Sequence, residues 1–163
     1  MHPIQWLEQH VLGFKELANV DRQAIFHFTL LWSLYESKAH RTRASARFIL
    51  SQVHEWDAQG KLVVQNFAVD LLYFRTRYFQ GDEPTQYFSG LNLRNNDNPE
   101  MVRAVLSGVN NDPADSVAVL LIIVYRLRCN LFHGAKWSYN IQGQLDNFTH
   151  ANAVLMSALD IEM

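Results

Sequence analysis

The strongest constraint on this chain is the run "VAVLLIIV" from Val117 to Val124, eight consecutive apolar residues shortly after Asp112-Pro113 and directly before "YRLRCNLFHG". A helix that is apolar on every side has to be surrounded by other elements, so this segment is expected at the centre of the fold. It is far too short to span a bilayer, which takes about 20 apolar residues. Asp112 supplies an N-cap, Pro113 suits the first helical position, and Gly134 supplies a stop. The expectation is one long helix from Pro113 to about Gly134.

The rest of the chain also carries helical spacing, with no strict alternation bounded by hairpin dipeptides. A first helix should start at Pro3, carry Ile4, Leu7, Val11 and Phe14 on one face, and end near Leu17. The second should start with Asp21 as N-cap and a staple between Val20 and Ile25. Its body "AIFHFTLLWSLYES" is apolar nearly all round and reads as a buried, central helix. A third is expected from about Thr42 through Ala46, Ile49, Leu50 and Val53 to Gly60, and a fourth from about Lys61 to Phe79. Residues 80–98 gather Gly, Pro, Asn and Asp and read as a long loop, a kind of segment that often carries function. Asn98-Pro99 should open a short helix to about Leu106, and a last helix should run from about Gly143 to Leu159. The fold class predicted is all-α.

At 163 residues, with 48% apolar and 18% charged side chains, the chain is expected to form one domain over 1–163. The net charge of -2 gives no general attraction to nucleic acid, so RNA or DNA binding would have to rest on local basic patches. Cys129 is the sole cysteine, which excludes an intrachain disulfide and fits a reducing compartment. "MHPIQWLEQH" lacks the basic start and apolar stretch of a signal peptide. A soluble, cytoplasmic protein with no membrane association is expected.

The chemistry concentrates at the end of the long helix. Arg126 and His133 are seven positions apart, almost two turns, and Asn130 lies close to the same face; Arg128 projects differently. Arginine is a permanently charged phosphate clamp, and histidine moves protons near neutral pH. The helix C-terminus favours an imidazolium and hence a general acid. These residues would suffice to cleave a phosphodiester without a metal. They would equally serve as basic side chains stabilising a helix end, worth about 0.3–1 kcal/mol.

"VYRLRCNLFHGAK", followed by the helical "QLDNFTHANAVLMSAL", resembles the HEPN superfamily, the all-α domains of many prokaryotic toxins and RNA-cleaving defence proteins. Its signature, commonly R-N-x-L-x-H-G, corresponds to Arg128, Cys129, Asn130, Leu131, Phe132, His133 and Gly134. The resemblance implies a single-domain up-and-down helical bundle with peripheral helices, the motif-bearing core covering about 113–160. It also implies endoribonuclease activity in a toxin or antiphage effector, by attack of the ribose 2′-hydroxyl on its own phosphate. Arg128 and His133 would be catalytic, with Asn130 orienting and Arg126 or Lys136 adding phosphate contacts; no metal and no cofactor are implied. One histidine cannot easily be both acid and base, and the family's two-fold dimers supply a second, so a homodimer with a composite cleft is expected. An antitoxin or regulatory protein is a further partner class. Ala135 stands where some toxins carry a tyrosine modified by a partner nucleotidyltransferase, so that pairing is not expected.

Spacing alone is a weak signal, since Arg22 and His27 in "RQAIFH" repeat it; the surroundings of Arg128 carry the resemblance. The family place after the arginine usually holds Asn, Asp or His, and here it holds Cys129, a weak donor that behaves as a small hydrophobe. That departure favours the alternative, a non-catalytic HEPN-like module binding RNA, a nucleotide or a protein. Lys38, Arg41, Arg43 and Arg47 form a basic segment that either holds an RNA backbone or is a solvated turn. Arg75 and Arg77 sit among aromatics that would stack bases or, more simply, pack in the core. No metal-ligand spacing involves the remaining histidines, and His27 reads as a core residue. Asp112 and Asp115 fit helix capping, and there is no glycine-rich phosphate loop or nucleophile elbow.

Overall fold

The computed structural model describes residues 1–39, 44–132 and 141–163. Among them are seven α-helices: α1 Pro3–His10, α2 Asn19–Ala39, α3 Ala46–Ala58, α4 Ala68–Tyr78, α5 Pro99–Leu106, α6 Pro113–Phe132 and α7 Leu145–Glu162. The only strands described, β1 Phe79–Gln80 and β2 Glu83–Pro84, form a minimal antiparallel hairpin. The fold class is all-α.

Helix α6 is the centre. Every residue from Val117 to Val124 is fully buried, because α3, α4, α5 and α7 pack around it. Each such side chain withdrawn from water contributes about 1.5–3 kcal/mol. The cap is as expected: Asp112 Oδ1 accepts from the Asp115 amide at 2.9 Å. At α5 the same Asx-Pro start works differently. Asn98 is left-handed (φ 54°) and makes no capping bond with its side chain.

Helix α2 is peripheral, against expectation. It buries Ala24, Phe28, Trp32 and Tyr35 against α7 and leaves Phe26, Leu30 and Leu34 exposed, at 59%, 55% and 41%. His27 lies on the open side and is not a core residue. The helix begins at Asn19, two residues before Asp21, whose Oδ2 accepts from the Ala18 amide at 3.1 Å. Asp21 therefore closes the first turn from inside.

Other boundaries moved for local reasons. α1 ends at His10, and Gly13 turns left-handed (φ 81°), so Phe14 and Leu17 reach the core from a turn. The start expected near Thr42 falls outside the described residues; within them Ser45 caps α3, its hydroxyl accepting from the Phe48 amide at 3.3 Å. The expected fourth helix is divided into a 3₁₀ turn, Val64–Phe67, and α4. Two residues per strand are too few to show alternation, which is why the hairpin is silent in the sequence. At one end Tyr35, Gln52 and Trp56 converge on Glu162. Tyr35 donates to Gln52 at 2.9 Å, and Gln52 and Trp56 donate to Glu162 Oε1 at 2.9 and 2.7 Å. This network fastens α2, α3 and α7 together.

Candidate functional site

The last two turns of α6 present two faces. Arg126 and Asn130, four residues apart, share the inner one, and both are only 3% exposed. Opposite them runs the segment after the hairpin, with 3₁₀ turns at Phe88–Leu91 and Asn95–Asp97. Arg126 Nε donates to the Leu91 carbonyl at 3.2 Å, and its Nη1 is 3.4 Å from Asp97 Oδ2. Asn130 Nδ2 donates to the Gly90 and Leu91 carbonyls at 3.0 and 3.3 Å, while its Oδ1 accepts from Asn92 Nδ2 at 3.2 Å. Asp97, itself buried, accepts from the Arg94 amide at 2.8 Å. The polar residues of this face hold the long loop on the core. As placed, Arg126 offers no surface to a phosphate.

Arg128 occupies the other face and is half-buried. Its guanidinium carbon lies 5.3 Å from the Phe132 ring centroid and 6.0 Å from that of Trp32. Among the described residues, neither its Nε nor the indole Nε1 of Trp32, both buried, has a hydrogen-bond partner. An arginine held between rings keeps its orientation and its charge. Tyr125 packs 5.9 Å from Trp32; burial, then the Cys129 thiol beside it, push the phenol above its ordinary range. Cys129 is 4% exposed.

His133 and Lys136, with Gly134, lie outside the described residues, as do Arg41 and Arg43 of the basic segment. Lys38 and Arg47 flank that segment and are exposed. Of the five residues assigned to the site, Arg126 and Asn130 are brought together with the loop, and Arg128 stands apart with Trp32 and Phe132. The second Arg-x4-His pair is structural at its arginine. Arg22 pairs with Glu8 at 2.9 Å and covers the Phe14 ring at 4.8 Å, which anchors the start of the chain to α2. Arg75 is also structural, donating to the Val105 carbonyl and to Asn111 Oδ1, both at 2.9 Å, while Phe74, Tyr78 and Phe79 are core.

Sequence reasoning missed Trp32, because it assigned α2 to the core all round. It missed Asn92, because loops give no register to read. It also missed a pair between α4 and α7, where His150 Nδ1 and the buried Asp70 Oδ1 share a hydrogen bond of 2.7 Å. Tyr73 stacks on that imidazole at 4.0 Å. Burial pushes the Asp70 carboxyl up, while the hydrogen bond and charge of His150 pull it the other way. No group of three or more His, Cys, Asp and Glu suited to a metal occurs among the described residues. None of the described helices is long and apolar enough to cross a membrane. Comparison of the chain with protein-family models, curated proteins and solved structures finds no match.

Proposed function

We propose that this chain is a metal-independent endoribonuclease of the HEPN type, a cytoplasmic toxin or antiphage effector acting as a homodimer. The observation that carries the reading is Arg128: a guanidinium in the last turns of the central helix, flanked by Trp32 and Phe132, with a buried Nε that has no hydrogen-bond partner among the described residues, five positions before His133. In the reaction a histidine takes the 2′-hydroxyl proton as the oxygen attacks phosphorus. Arg128 carries the charge that develops on the phosphoryl oxygens, and the 5′-oxygen departs with a proton from the second histidine. The products are a 2′,3′-cyclic phosphate and a 5′-hydroxyl. DNA has no such nucleophile. Asn130 acts through the Gly90–Asn92 segment it holds, Arg126 likewise through Leu91 and Asp97, and Lys136 adds a phosphate contact.

The second reading, a non-catalytic module binding RNA, a nucleotide or a protein, is favoured by a different observation. Arg126 and Asn130 are engaged with the loop, and Cys129 is buried, so three positions near the motif offer no polar group to a substrate. One comparison separates the two: wild type and His133→Ala are incubated with total RNA in EDTA, and new ends are mapped. Cyclic-phosphate ends made by wild type alone are the expected result. Identical end profiles would remove the nuclease, and RNA retained by both proteins would then favour the module.

A further inference from the structure

We propose that the cleft on the outer side of the hairpin and the Phe88–Asp97 segment is a nucleotide-binding site, distinct from Arg128, whose occupancy reaches α6 through Asn92. The cleft is open and measures ≈ 580 Å³, within the range of small-ligand sites. Among the described residues lining it Arg103 is the one charged side chain, so the field inside favours an anion. The guanidinium is held 4.7 Å from the Phe88 ring centroid, which orients it while leaving the residue exposed.

Around that cation the lining is neutral and capable of hydrogen bonding. The side chains of Ser89 and Asn95 make no hydrogen bond among the described residues, and Asn92 uses only its Nδ2, on Asn130, leaving Oδ1 to accept. Primary amides carry a donor and an acceptor side by side and so match the edge of a nucleobase. Leu93 adds an apolar wall for a flat ring. One fixed cation with amide and hydroxyl groups over apolar surface suits a ribonucleotide, phosphate on Arg103 and base edge on Asn92 and Asn95.

The connection to the helix is direct. Asn92 is left-handed (φ 51°), a conformation asparagine tolerates better than most residues, and its amide bridges the cleft to Asn130. A base drawing on Asn92 therefore pulls on the bond holding the end of α6. The ligand is either a free nucleotide acting as effector or one nucleotide of a bound RNA strand. The binding claim stands without RNA cleavage; only the meaning of the coupling rests on the proposed nuclease.

The full chain is titrated with each ribonucleoside 5′-monophosphate, with inorganic phosphate and with a short oligoribonucleotide, followed by calorimetry and by the NMR signals of the side-chain amides. At least one mononucleotide should bind more tightly than phosphate and shift the Asn92, Asn95 and Asn130 amides. Arg103→Gln should weaken it about tenfold, the scale of one charge-assisted hydrogen bond, with unfolding unchanged. Asn92→Gly, which keeps the left-handed backbone but removes one of the two amides assigned to the base edge, should bind the mononucleotide more weakly than wild type and leave the Asn130 amide unresponsive at saturation. Arg128→Ala and His133→Ala should bind normally even where cleavage is absent, so failure of the nuclease and failure of this site are distinguishable. Tighter binding of the oligoribonucleotide identifies a strand site, and preference for the mononucleotide an effector site. No binding of either, equal affinity in Arg103→Gln, or phosphate binding as well as every nucleotide would overturn the proposal.

Discussion

Arg126 sits with its guanidinium between the Leu91 carbonyl and the Asp97 carboxylate, deep enough that neither charge is solvated. Removing one member of such a pair strands the other, whereas removing both is far less costly. Arg126→Met should therefore cost about 3–5 kcal/mol in urea unfolding, and adding Asp97→Asn should recover most of it. A double variant as unstable as the single one would show that the arginine acts through the Leu91 carbonyl alone. Asp70 gives a second prediction at this scale. Its carboxyl is raised by burial above the ordinary 3.8, so the folded chain keeps a proton that the unfolded chain has released. That contribution to stability is full below 3.8 and disappears as pH rises through the folded value. Asp70→Asn cannot ionise yet can still pair with His150 through its amide, so its stability should fall less than that of wild type as pH rises across the weakly acidic range. Parallel curves of urea midpoint against pH would remove Asp70 as the source.

At the scale of elements, α2 shows why an apolar segment is not thereby a buried one. Ala24, Phe28, Trp32 and Tyr35 repeat at four, four and three residues and are buried, while Phe26, Leu30 and Leu34 follow a parallel stripe that stays exposed. Composition cannot separate two stripes of equal hydropathy; only the partner helix does. Phe28→Ala should cost about 3–5 kcal/mol, as a buried ring does. Leu30→Gln should change stability by under about 0.5 kcal/mol, as an exposed position does. Comparable losses in chemical denaturation would place both residues inside. The central helix was legible because nothing but burial explains eight apolar residues in succession, and Asp112 was legible because capping is local. The 88–97 segment was not, since its partners are Arg126 and Asn130, up to 40 residues away. Periodicity reports neighbours three and four apart and is blind to such bonds. The same limit hid the role of Asn130: its type and position suggested chemistry, and its hydrogen bonds are those of a structural clamp.

At the scale of the whole molecule, the proposed reaction needs more than one chain contributes. Each copy carries one His133, and the 2′-hydroxyl attack needs a base on one side of phosphorus and an acid on the other. If the two come from two copies, a dimer with one His133→Ala member lacks one role and is inactive or nearly so. Wild type and His133→Ala, produced together so that partners assort at random, then form wild-type pairs in proportion to the square of the wild-type fraction. An equal mixture should keep about one quarter of the activity measured at the same total protein, because only that share of the pairs is intact. Retention of about one half, the value for copies that act independently, would place acid and base within a single chain. The oligoribonucleotide cut in that assay, probed for cyclic-phosphate ends, makes the count depend on the proposed chemistry and not on loss of RNA to a contaminant.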